Sequence, residues 1–323
     1  MTQQNKQPEK KSNLPKLTEL KRILNGYPQL IIDLGIDPPD WEIIPEEHRL
    51  LIRKHSKRLK DRGSYLKEKL DIILLKNDPT ANLEWFQLTG VLAAVLPELQ
   101  NTVELSDENE RRHKHVWGHT KKVVAQSTGE ILVRYAALFH DIGKVKTRKF
   151  TDEGKVTFYG HDLVGARQFR KISKKLNLEP EFLEKIIILI RYHLRPGQYE
   201  TSWTDSAVRR LVSDVGGEKL VKELLKLARA DITTKYDYKR KRAIEQINKL
   251  EKRISKIIEL DSRQPPFPKG LGNAIMEKYE LEPGPVIGKY IKWLHQEIEN
   301  GVIEVGQDYA YYLEHIDNSS PWQ

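Results

Sequence analysis

Histidine and aspartate residues stand at the ends of several apolar helical patterns in this sequence. From Phe182 to Ile190 apolar residues return every three or four positions, and the next position on that face is His193. The same spacing from Leu220 to Ala228 leads to Asp231. Potential metal ligands on apolar faces therefore come from four separate helical patterns, with Asp141 directly beside one of them: His119, His140, His193 and Asp231.

Imidazole and carboxylate groups on buried helix faces favour a metal site. A buried carboxylate is costly unless it is paired or bound to a metal. Any single buried histidine is more often a hydrogen-bonded core residue, but the whole set is better explained by a metal. The sequence has no cysteine, so thiolate ligands and thiol nucleophiles are excluded. The remaining ligand types suit a divalent ion such as Mg, Mn, Fe, Co, Ni or Zn.

A divalent ion held by these residues would favour hydrolysis of a phosphate ester. Such an ion lowers the pKa of bound water and polarises a phosphoryl oxygen. Lys144 follows the His140-Asp141 pair by about one helical turn, and its ammonium group could hold a substrate phosphate as a point charge.

The elements that must position these residues are predicted to be helices. Apolar residues return every three or four positions along most of the chain beyond residue 14. The stretch from Phe150 to Phe158 alternates instead, which predicts a small β-hairpin. We expect Asp205 to cap the helix that follows it, and the polar, acidic stretch from Asn101 to Arg112 to form a linker. A long basic helix is predicted from Tyr236 to Leu260.

Positive charge is concentrated in three stretches of a chain whose net charge is +9. His48 to Lys69 carries nine Lys or Arg residues against two acidic ones, Ile232 to Lys256 carries nine against three, and Met1 to Arg22 carries six against two. Basic stripes on helices suit a nucleic-acid phosphate backbone, and a solvated helix face is the alternative. The candidate RNA-binding residues are consecutive: Lys239, Arg240, Lys241 and Arg242.

Neither a membrane segment nor a secretory signal is predicted. No apolar run approaches the roughly 20 residues that a membrane helix needs. The N-terminal stretch from Met1 to Leu14 is polar. We expect a cytoplasmic protein with no membrane partner.

The candidate ligands resemble the signature of a known family. His119, the block from Phe139 to Lys144 (Phe-His-Asp-Ile-Gly-Lys) and Asp231 resemble, in type and order, the motif of HD-domain metal-dependent phosphohydrolases. Further segments resemble the HD domain of bacterial tRNA nucleotidyltransferases, the CCA-adding enzymes: His115–Thr120, Val156–Asp162 and Ser206–Arg210.

The likeness to those enzymes continues outside the HD domain but does not reach their polymerase head. Asn77–Leu99 and Leu281–Gly288 resemble their helical body, so the resemblance covers roughly Ile72 to Gly301. Their head requires a Gly-Ser turn and a strand with Asp-x-Asp. Here Gly63-Ser64 is followed only by Asp71, without a second carboxylate in register. We expect the nucleotidyltransferase head to be missing and nucleotide addition not to be the activity.

The resemblance implies a role for each matched residue. The primary metal ligands would be His119, His140, Asp141 and Asp231. Asp141 would also orient or deprotonate the attacking water.

Further residues would surround these ligands. His161 and His193 would bind a second metal or the substrate phosphate. Arg195 and Arg210 are weaker candidates for phosphate contacts, with surface salt bridges as the alternative. His113 and His115 would flank the site.

The predicted fold is all-α, an HD-type helical domain with a small β-hairpin, flanked by helical segments. We predict a flexible tail (1–14), an N-terminal helical segment (15–105), an HD phosphohydrolase domain (106–235) and a C-terminal RNA-binding-like helical segment (236–323).

The predicted function is phosphodiesterase or phosphatase activity with one or two divalent ions per chain. The substrates would be RNA 3′ ends or nucleotides, and the resemblance implies 2′,3′-cyclic or 2′-phosphates. Expected partners are a tRNA-like RNA and a nucleotide substrate. Two alternatives remain open: an RNA-binding protein with a structural or idle HD site, and a small-molecule nucleotide or alarmone hydrolase.

Overall fold

The computed structural model describes residues 14–107, 116–127, 129–262 and 265–322, which are mostly α-helical. The chain divides into two compact units, Met1–Ile254 and Ser255–Gln323. The prediction of an all-α fold with a small hairpin is confirmed. Within the described ranges no helix is both long enough and apolar enough to cross a membrane. The segment boundaries predicted from the sequence stay predictions.

The first unit begins with a group of short helices. Their apolar faces meet in a core that includes Leu24, Ile52 and Phe86. The helices are α1 (Leu17–Gly26), α2 (Leu30–Asp33), α3 (Glu46–Ser56), α4 (Gly63–Leu74), α5 (Thr80–Leu88), α6 (Val91–Val95) and α7 (Pro97–Asp107).

Helix α7 occupies part of the predicted linker, so that prediction is wrong up to residue 107. Leu99, Val103 and Leu105 are buried, so the apolar side chains of this otherwise polar, acidic helix pack against its neighbours. The remainder of the predicted linker, residues 108–112, lies outside the described residues.

The same unit continues with the elements that carry the candidate ligands. They are α8 (Val116–Gln126), α9 (Ile131–Phe139), α10 (Lys144–Thr147), β1 (Lys149–Phe150), β2 (Val156–Thr157), α11 (His161–Leu176), α12 (Pro180–Tyr192), α13 (Asp205–Val215), α14 (Glu218–Asp231) and α15 (Asp237–Ser262), whose residues from Ser255 onward belong to the second unit. The two strands pair antiparallel, with Phe150 opposite Val156, which confirms the predicted hairpin.

Helix α9 lies at the centre of this group. Every residue from Val133 to Phe139 is buried, and α9 packs against α8, α12 and α14. This all-round burial explains why the helix, apart from Arg134, is built of apolar and aromatic residues rather than being amphipathic. Candidate ligands stand at or next to the ends of the surrounding helices, so the packing around α9 decides whether they meet.

Thr204, rather than Asp205, caps α13. The Thr204 hydroxyl accepts a hydrogen bond from the backbone N–H of Ala207 at 3.2 Å. Asp205 is the first helical residue, and its carboxylate binds Arg253 at 2.8 Å. The predicted cap is therefore wrong by one residue, because Thr and Asp are both favourable capping residues and stand side by side here.

The second unit has its own small apolar core. Its further helices are α16 (Leu271–Tyr279), α17 (Pro285–Glu299) and α18 (Tyr309–Ser319). Ile275, Leu294, Tyr312 and Ile316 are fully buried at the centre of the cluster. None of the predicted site residues lies in the described part of this unit.

Candidate metal centre

Four predicted ligands converge on one point of the first unit. His119 Nε2 lies 2.9 Å from Asp231 Oδ1 and 3.3 Å from His140 Nε2. Asp141 Oδ2 lies 3.2 Å from His140 Nε2 and 3.5 Å from His119 Nε2. These residues come from α8, the turn after α9 and the end of α14, so the packing of three helices assembles what the sequence keeps far apart. We call His119, His140 and Asp231 the outer cluster.

A second group of ligands adjoins the first through Asp141. Its other oxygen, Oδ1, lies 3.4 Å from His161 Nε2, which is 3.3 Å from His193 Nε2. All three side chains are buried. We call Asp141, His161 and His193 the inner cluster. The carboxylate of Asp141 thus presents one oxygen to each cluster.

Hydrogen bonds to the other ring nitrogen orient the histidines of both clusters. The Nδ1 atoms of His140, His161 and His193 each lie 2.6–2.8 Å from the carbonyl oxygen three residues earlier, on Ala137, Phe158 and Ile190. A carbonyl accepts only, so Nδ1 carries the proton and donates it. In the neutral ring Nε2 is then left with a lone pair aimed into the centre, the arrangement that metal-bound histidines require.

His55 illustrates the alternative of a satisfied core histidine. It is buried in α3, and both of its ring nitrogens have protein partners, the carbonyl oxygen of Leu51 at 2.9 Å and the side-chain oxygen of Asn25 at 3.0 Å. In the clusters, by contrast, imidazole Nε2 atoms face one another. Two neutral rings whose Nε2 lone pairs face each other, as in His161 and His193, cannot hydrogen-bond, so this arrangement favours a cation between them, either a proton or a metal ion.

The spacing of the donor atoms fits a small divalent ion. An ion bound at about 2.0–2.2 Å separates neighbouring ligand atoms by about 2.8–3.6 Å in octahedral or tetrahedral geometry. The distances around the outer cluster run from 2.9 to 3.5 Å. In addition, Asp141 Oδ1 is buried and has no hydrogen-bond partner among the residues that the structure describes. Both observations fit metal binding, with nitrogen and oxygen ligands only.

The electrostatics of the centre also favour a cation. Burial lowers the pKa of His140, but the carboxylates of Asp141 and Asp231 outweigh it and raise that pKa to about 10. Burial raises the pKa of Asp141, but His140 and Lys144 outweigh it and hold that pKa well below its usual range. Burial, together with the nearby His140, lowers the pKa of His193 to about 4. The carboxylates therefore stabilise positive charge at the outer cluster.

Gly143 allows the two clusters to approach. A Cβ atom at this position would overlap the carbonyl oxygen of His161 and lie 2.7 Å from the backbone nitrogen of Gly165. The turn after α9 therefore packs backbone to backbone against the start of α11, which brings His161 to Asp141. The glycine of the His-Asp-Ile-Gly-Lys block has a packing reason of its own.

Lys144 contacts a ligand carboxylate, an interaction that the sequence does not predict. Its Nζ donates to Asp141 Oδ2 at 2.6 Å, and its side chain is 22% exposed. The ammonium thus contacts a ligand carboxylate and remains in reach of solvent. Its predicted role as a phosphate contact stays a prediction.

The weaker candidates make no hydrogen bond or ion pair with the ligands in the described part of the chain. The guanidinium of Arg195 stacks over the ring of Trp203 at 5.1 Å. Neither Arg195 nor Arg210 hydrogen-bonds to a cluster residue within the described chain, and both are exposed. The predicted flanking residues His113 and His115 lie outside the described residues.

The predicted RNA-binding residues lie on the first turns of α15. All four side chains are exposed, and no described carboxylate forms an ion pair with any of them: Lys239, Arg240, Lys241 and Arg242. The Nζ atom of Lys239 lies 5.0 Å from the ring centre of Tyr236.

Sequence reasoning missed a residue that orients His119. The hydroxyl of Thr233 lies 2.9 Å from His119 Nδ1 and takes the place that a backbone carbonyl has for the other histidines. A signal was available, because Thr233 follows the candidate ligand Asp231 by two residues, just beyond the end of a helix. Thr233 also lines a groove of about 450 Å³ that begins at His119.

Comparison with known proteins agrees with this geometry. Residues 112–236 match the family model of the HD domain. This segment of the chain is an HD domain, and it contains every member of both clusters. The resemblance inferred from the His-Asp block is confirmed.

The relatives of the chain include enzymes that act on tRNA. A CC-adding tRNA nucleotidyltransferase of Thermus thermophilus is 28% identical over 272 residues, 82% of this chain and 59% of that protein. An A-adding tRNA nucleotidyltransferase of Deinococcus radiodurans is 24% identical over 266 residues, 79% of this chain and 59% of that protein. The chain thus spans about 59% of the length of these two relatives.

A further relative combines two activities in its name. A bifunctional uridylyltransferase/uridylyl-removing enzyme of Cereibacter sphaeroides is 24% identical over 183 residues, 50% of this chain and 17% of that protein.

Proposed function

We propose that this protein is a divalent-metal-dependent phosphohydrolase that acts on phosphate esters of RNA 3′ ends or nucleotides, such as 2′,3′-cyclic or 2′-phosphates. The observation that carries the proposal is the pair of histidine-aspartate clusters that share the two oxygens of Asp141. Such a shared carboxylate is suited to one ion or to two, and Mg, Mn, Fe, Co, Ni or Zn would all accept these ligands.

The residues of the centre divide the work. His119, His140, Asp141 and Asp231 would hold the ion, and His161 and His193 would hold a second ion or a substrate phosphate. A bound divalent ion supplies a water of lowered pKa and polarises the phosphoryl oxygen. Asp141 would orient that water or accept its proton at a carboxylate oxygen.

Lys144 would then stabilise negative charge on the phosphate rather than transfer a proton. Its ammonium reaches Asp141 Oδ2 from the solvent side. An incoming phosphate would offer it a second anionic partner, so it would balance charge on the reacting group.

Two further observations support an RNA or nucleotide substrate. Two of the relatives carry tRNA in their printed names, and the third is described as uridylyl-removing, which names removal of a nucleotidyl group. The exposed cations from Lys239 to Arg242 supply a surface suited to phosphates.

The decisive experiment is hydrolysis of bis(p-nitrophenyl)phosphate and 2′,3′-cyclic AMP by the purified protein with a panel of divalent metals. We expect hydrolysis that depends on metal and is lost on addition of a chelator. His140→Gln should abolish it, whereas the matched control His55→Gln changes a buried histidine outside the centre and should leave it intact.

The two alternatives make different predictions for the same preparation. An idle HD site would bind tRNA-like RNA without hydrolysing either ester, and such a result would overturn the proposal. A small-molecule hydrolase would hydrolyse nucleotides without binding RNA near physiological salt.

A further inference from the structure

A groove of about 450 Å³ leads away from the outer cluster. It is lined by Gly118, His119, Lys122, Thr233, Thr234, Lys235 and Tyr236. The volume falls within the range typical of small-ligand sites, about 300–1,000 Å³. Because His119 belongs to both the groove and the outer cluster, a molecule in the groove would lie against that cluster.

The walls of this groove combine two lysines with an aromatic ring. Lys122 and Lys235 are both exposed, and neither forms an ion pair with a carboxylate in the described ranges. The ring of Tyr236 is 49% exposed, and Nζ of Lys235 lies 5.6 Å from its centre. An exposed aromatic face beside unpaired cations is chemically suited to a base attached to a phosphate.

The residue that carries this ring lies close in the chain to a residue that contacts the outer cluster. Thr233 contacts His119, and Tyr236 is three residues further along the chain. Three residues span at most about 11 Å between Cα atoms. His119 and Tyr236 line the same groove, so a nucleotide with its base at Tyr236 would extend toward the cluster.

We infer that this groove is the subsite for the terminal nucleoside of the substrate, with the base stacked on Tyr236 and the phosphate charge balanced by Lys122 and Lys235. The inference rests on the proposed function, since it names the substrate class of the same site. It predicts that the protein prefers nucleoside phosphates over base-free sugar phosphates.

An RNA 3′ end and a free nucleotide share this chemistry. Lys239 adjoins the Tyr236 ring and starts the run of cations on α15. The phosphates that precede a terminal nucleotide would meet that run, whereas a free nucleotide would end in the groove. Comparing an RNA oligonucleotide with a mononucleotide therefore distinguishes the two sources.

The test is equilibrium binding to the metal-loaded protein, measured by calorimetry at low temperature, with each probe checked for hydrolysis afterwards. The probes are adenosine 2′-monophosphate, ribose 2-phosphate and a short RNA that ends in a 2′-phosphate. Loss of a stacking ring weakens binding of a base by about 5- to 150-fold. We expect that loss for adenosine 2′-monophosphate with Tyr236→Leu, but little change with Tyr236→Phe, which keeps the ring.

Tyr309→Leu is the matched control. Tyr309 is a tyrosine that is 42% exposed and does not line the groove. Its substitution should leave nucleotide binding unchanged. Lys122→Gln and Lys235→Gln should each weaken the binding of adenosine 2′-monophosphate and the binding of ribose 2-phosphate by the same factor.

The outcomes separate this inference from the proposed function. Equal binding of adenosine 2′-monophosphate by wild type and Tyr236→Leu, or no binding at all, would overturn the subsite even if metal-dependent hydrolysis is observed. Binding that depends on Tyr236 without hydrolysis under any metal would retain the subsite and overturn the proposed function. If both hold, Tyr236→Leu should raise KM for 2′,3′-cyclic AMP with kcat nearly unchanged.

Discussion

The outer and inner clusters use the same kinds of side chain in different surroundings. In the outer cluster the side chains of His119 and Asp231 are 11% and 25% exposed, and His119 lines the groove. The inner cluster of Asp141, His161 and His193 is buried throughout. Each cluster therefore offers two histidines and one aspartate. The outer cluster borders a cavity of substrate size, and the inner cluster lies inside the packed protein.

This difference assigns different tasks to the two clusters. Catalytic metal sites keep an open coordination position for water or substrate, whereas structural sites are closed by protein ligands. The outer cluster meets the first condition because it borders the groove. We expect it to hold the ion that handles substrate, and the inner cluster to hold a second ion or to support Asp141.

Asp141→Asn should have the largest effect, because its two oxygens serve both clusters. We expect bound metal to be lost and activity to fall by about three orders of magnitude or more, the scale seen when one member of a catalytic unit is removed. Metal analysis and helical circular dichroism of the purified variant measure both effects, and helicity should remain.

Asp71→Asn provides the matched control for Asp141→Asn. Asp71 accepts a hydrogen bond from Tyr135 at 2.7 Å outside the centre, so its substitution should retain metal and activity. Manganese at 100 times its Kd should also increase the free energy of unfolding of wild type by about 2.7 kcal/mol, and so raise its melting temperature. It should not stabilise Asp141→Asn. Full metal occupancy and activity in Asp141→Asn would refute the ligand assignment.

His193→Gln should affect the inner cluster alone. Two ions about 3.5–4 Å apart can clamp the attacking and leaving oxygens together, so loss of the inner one should lower activity by roughly 10- to 100-fold and leave the outer ion bound. Anomalous scattering from manganese-soaked crystals of wild type and variant counts the ions directly. A single peak in wild type, with His193 more than about 4 Å away and hydrogen-bonded to protein, would make His193 a core residue.

Gly143→Ala should push the inner cluster away from the outer cluster. The added methyl group would collide with the backbone of α11 at His161, and overpacking of this kind costs about 1–3 kcal/mol of unfolding free energy. Urea denaturation measures that loss, and metal titration should show weaker binding at the inner cluster first. Gly197→Ala is the control, since a Cβ atom there has no neighbour within 4 Å. Equal stability of the two variants would contradict the close packing.

The sequence predicts the ligands of this centre better than their arrangement. Apolar periodicity that ends on His193 or Asp231 is a local property, so it can be recognised along the chain. The sharing of Asp141 between clusters depends on the packing of α9 against α11 through Gly143, which no local pattern records. The same holds for the Thr233 contact with His119.

Strong apolar periodicity predicts the helices and the hairpin correctly, whereas polar composition predicts a linker where the structure has a helix. The hairpin and the long basic helix α15 follow the predicted limits closely. Composition predicts a linker at helix α7 because only its buried side chains, Val103 and Leu105 among them, are apolar. Burial is a tertiary property, and acidic composition alone does not reveal it.

The smallest expected effect comes from the cations on α15, which lie beyond both clusters. Successive side chains on a helix point about 100° apart, so Arg240, Lys241 and Arg242 together face most directions around one turn. At least one of them should therefore contact a phosphate backbone on either side. Replacing Lys239 to Arg242 with Gln should weaken binding of a tRNA-like RNA and flatten the salt dependence of log K by about one unit per lost contact.

Hydrolysis of 2′,3′-cyclic AMP should barely change in this variant, because that chemistry takes place at the metal centre. Lys171→Gln combined with Lys174→Gln removes charge from the exposed face of α11 and should leave the salt slope unaltered. RNA binding is followed across a salt series by fluorescence anisotropy. An unchanged slope in the α15 variant, or no RNA binding near physiological salt, would favour a small-molecule hydrolase, for which only the outer cluster and its groove are needed.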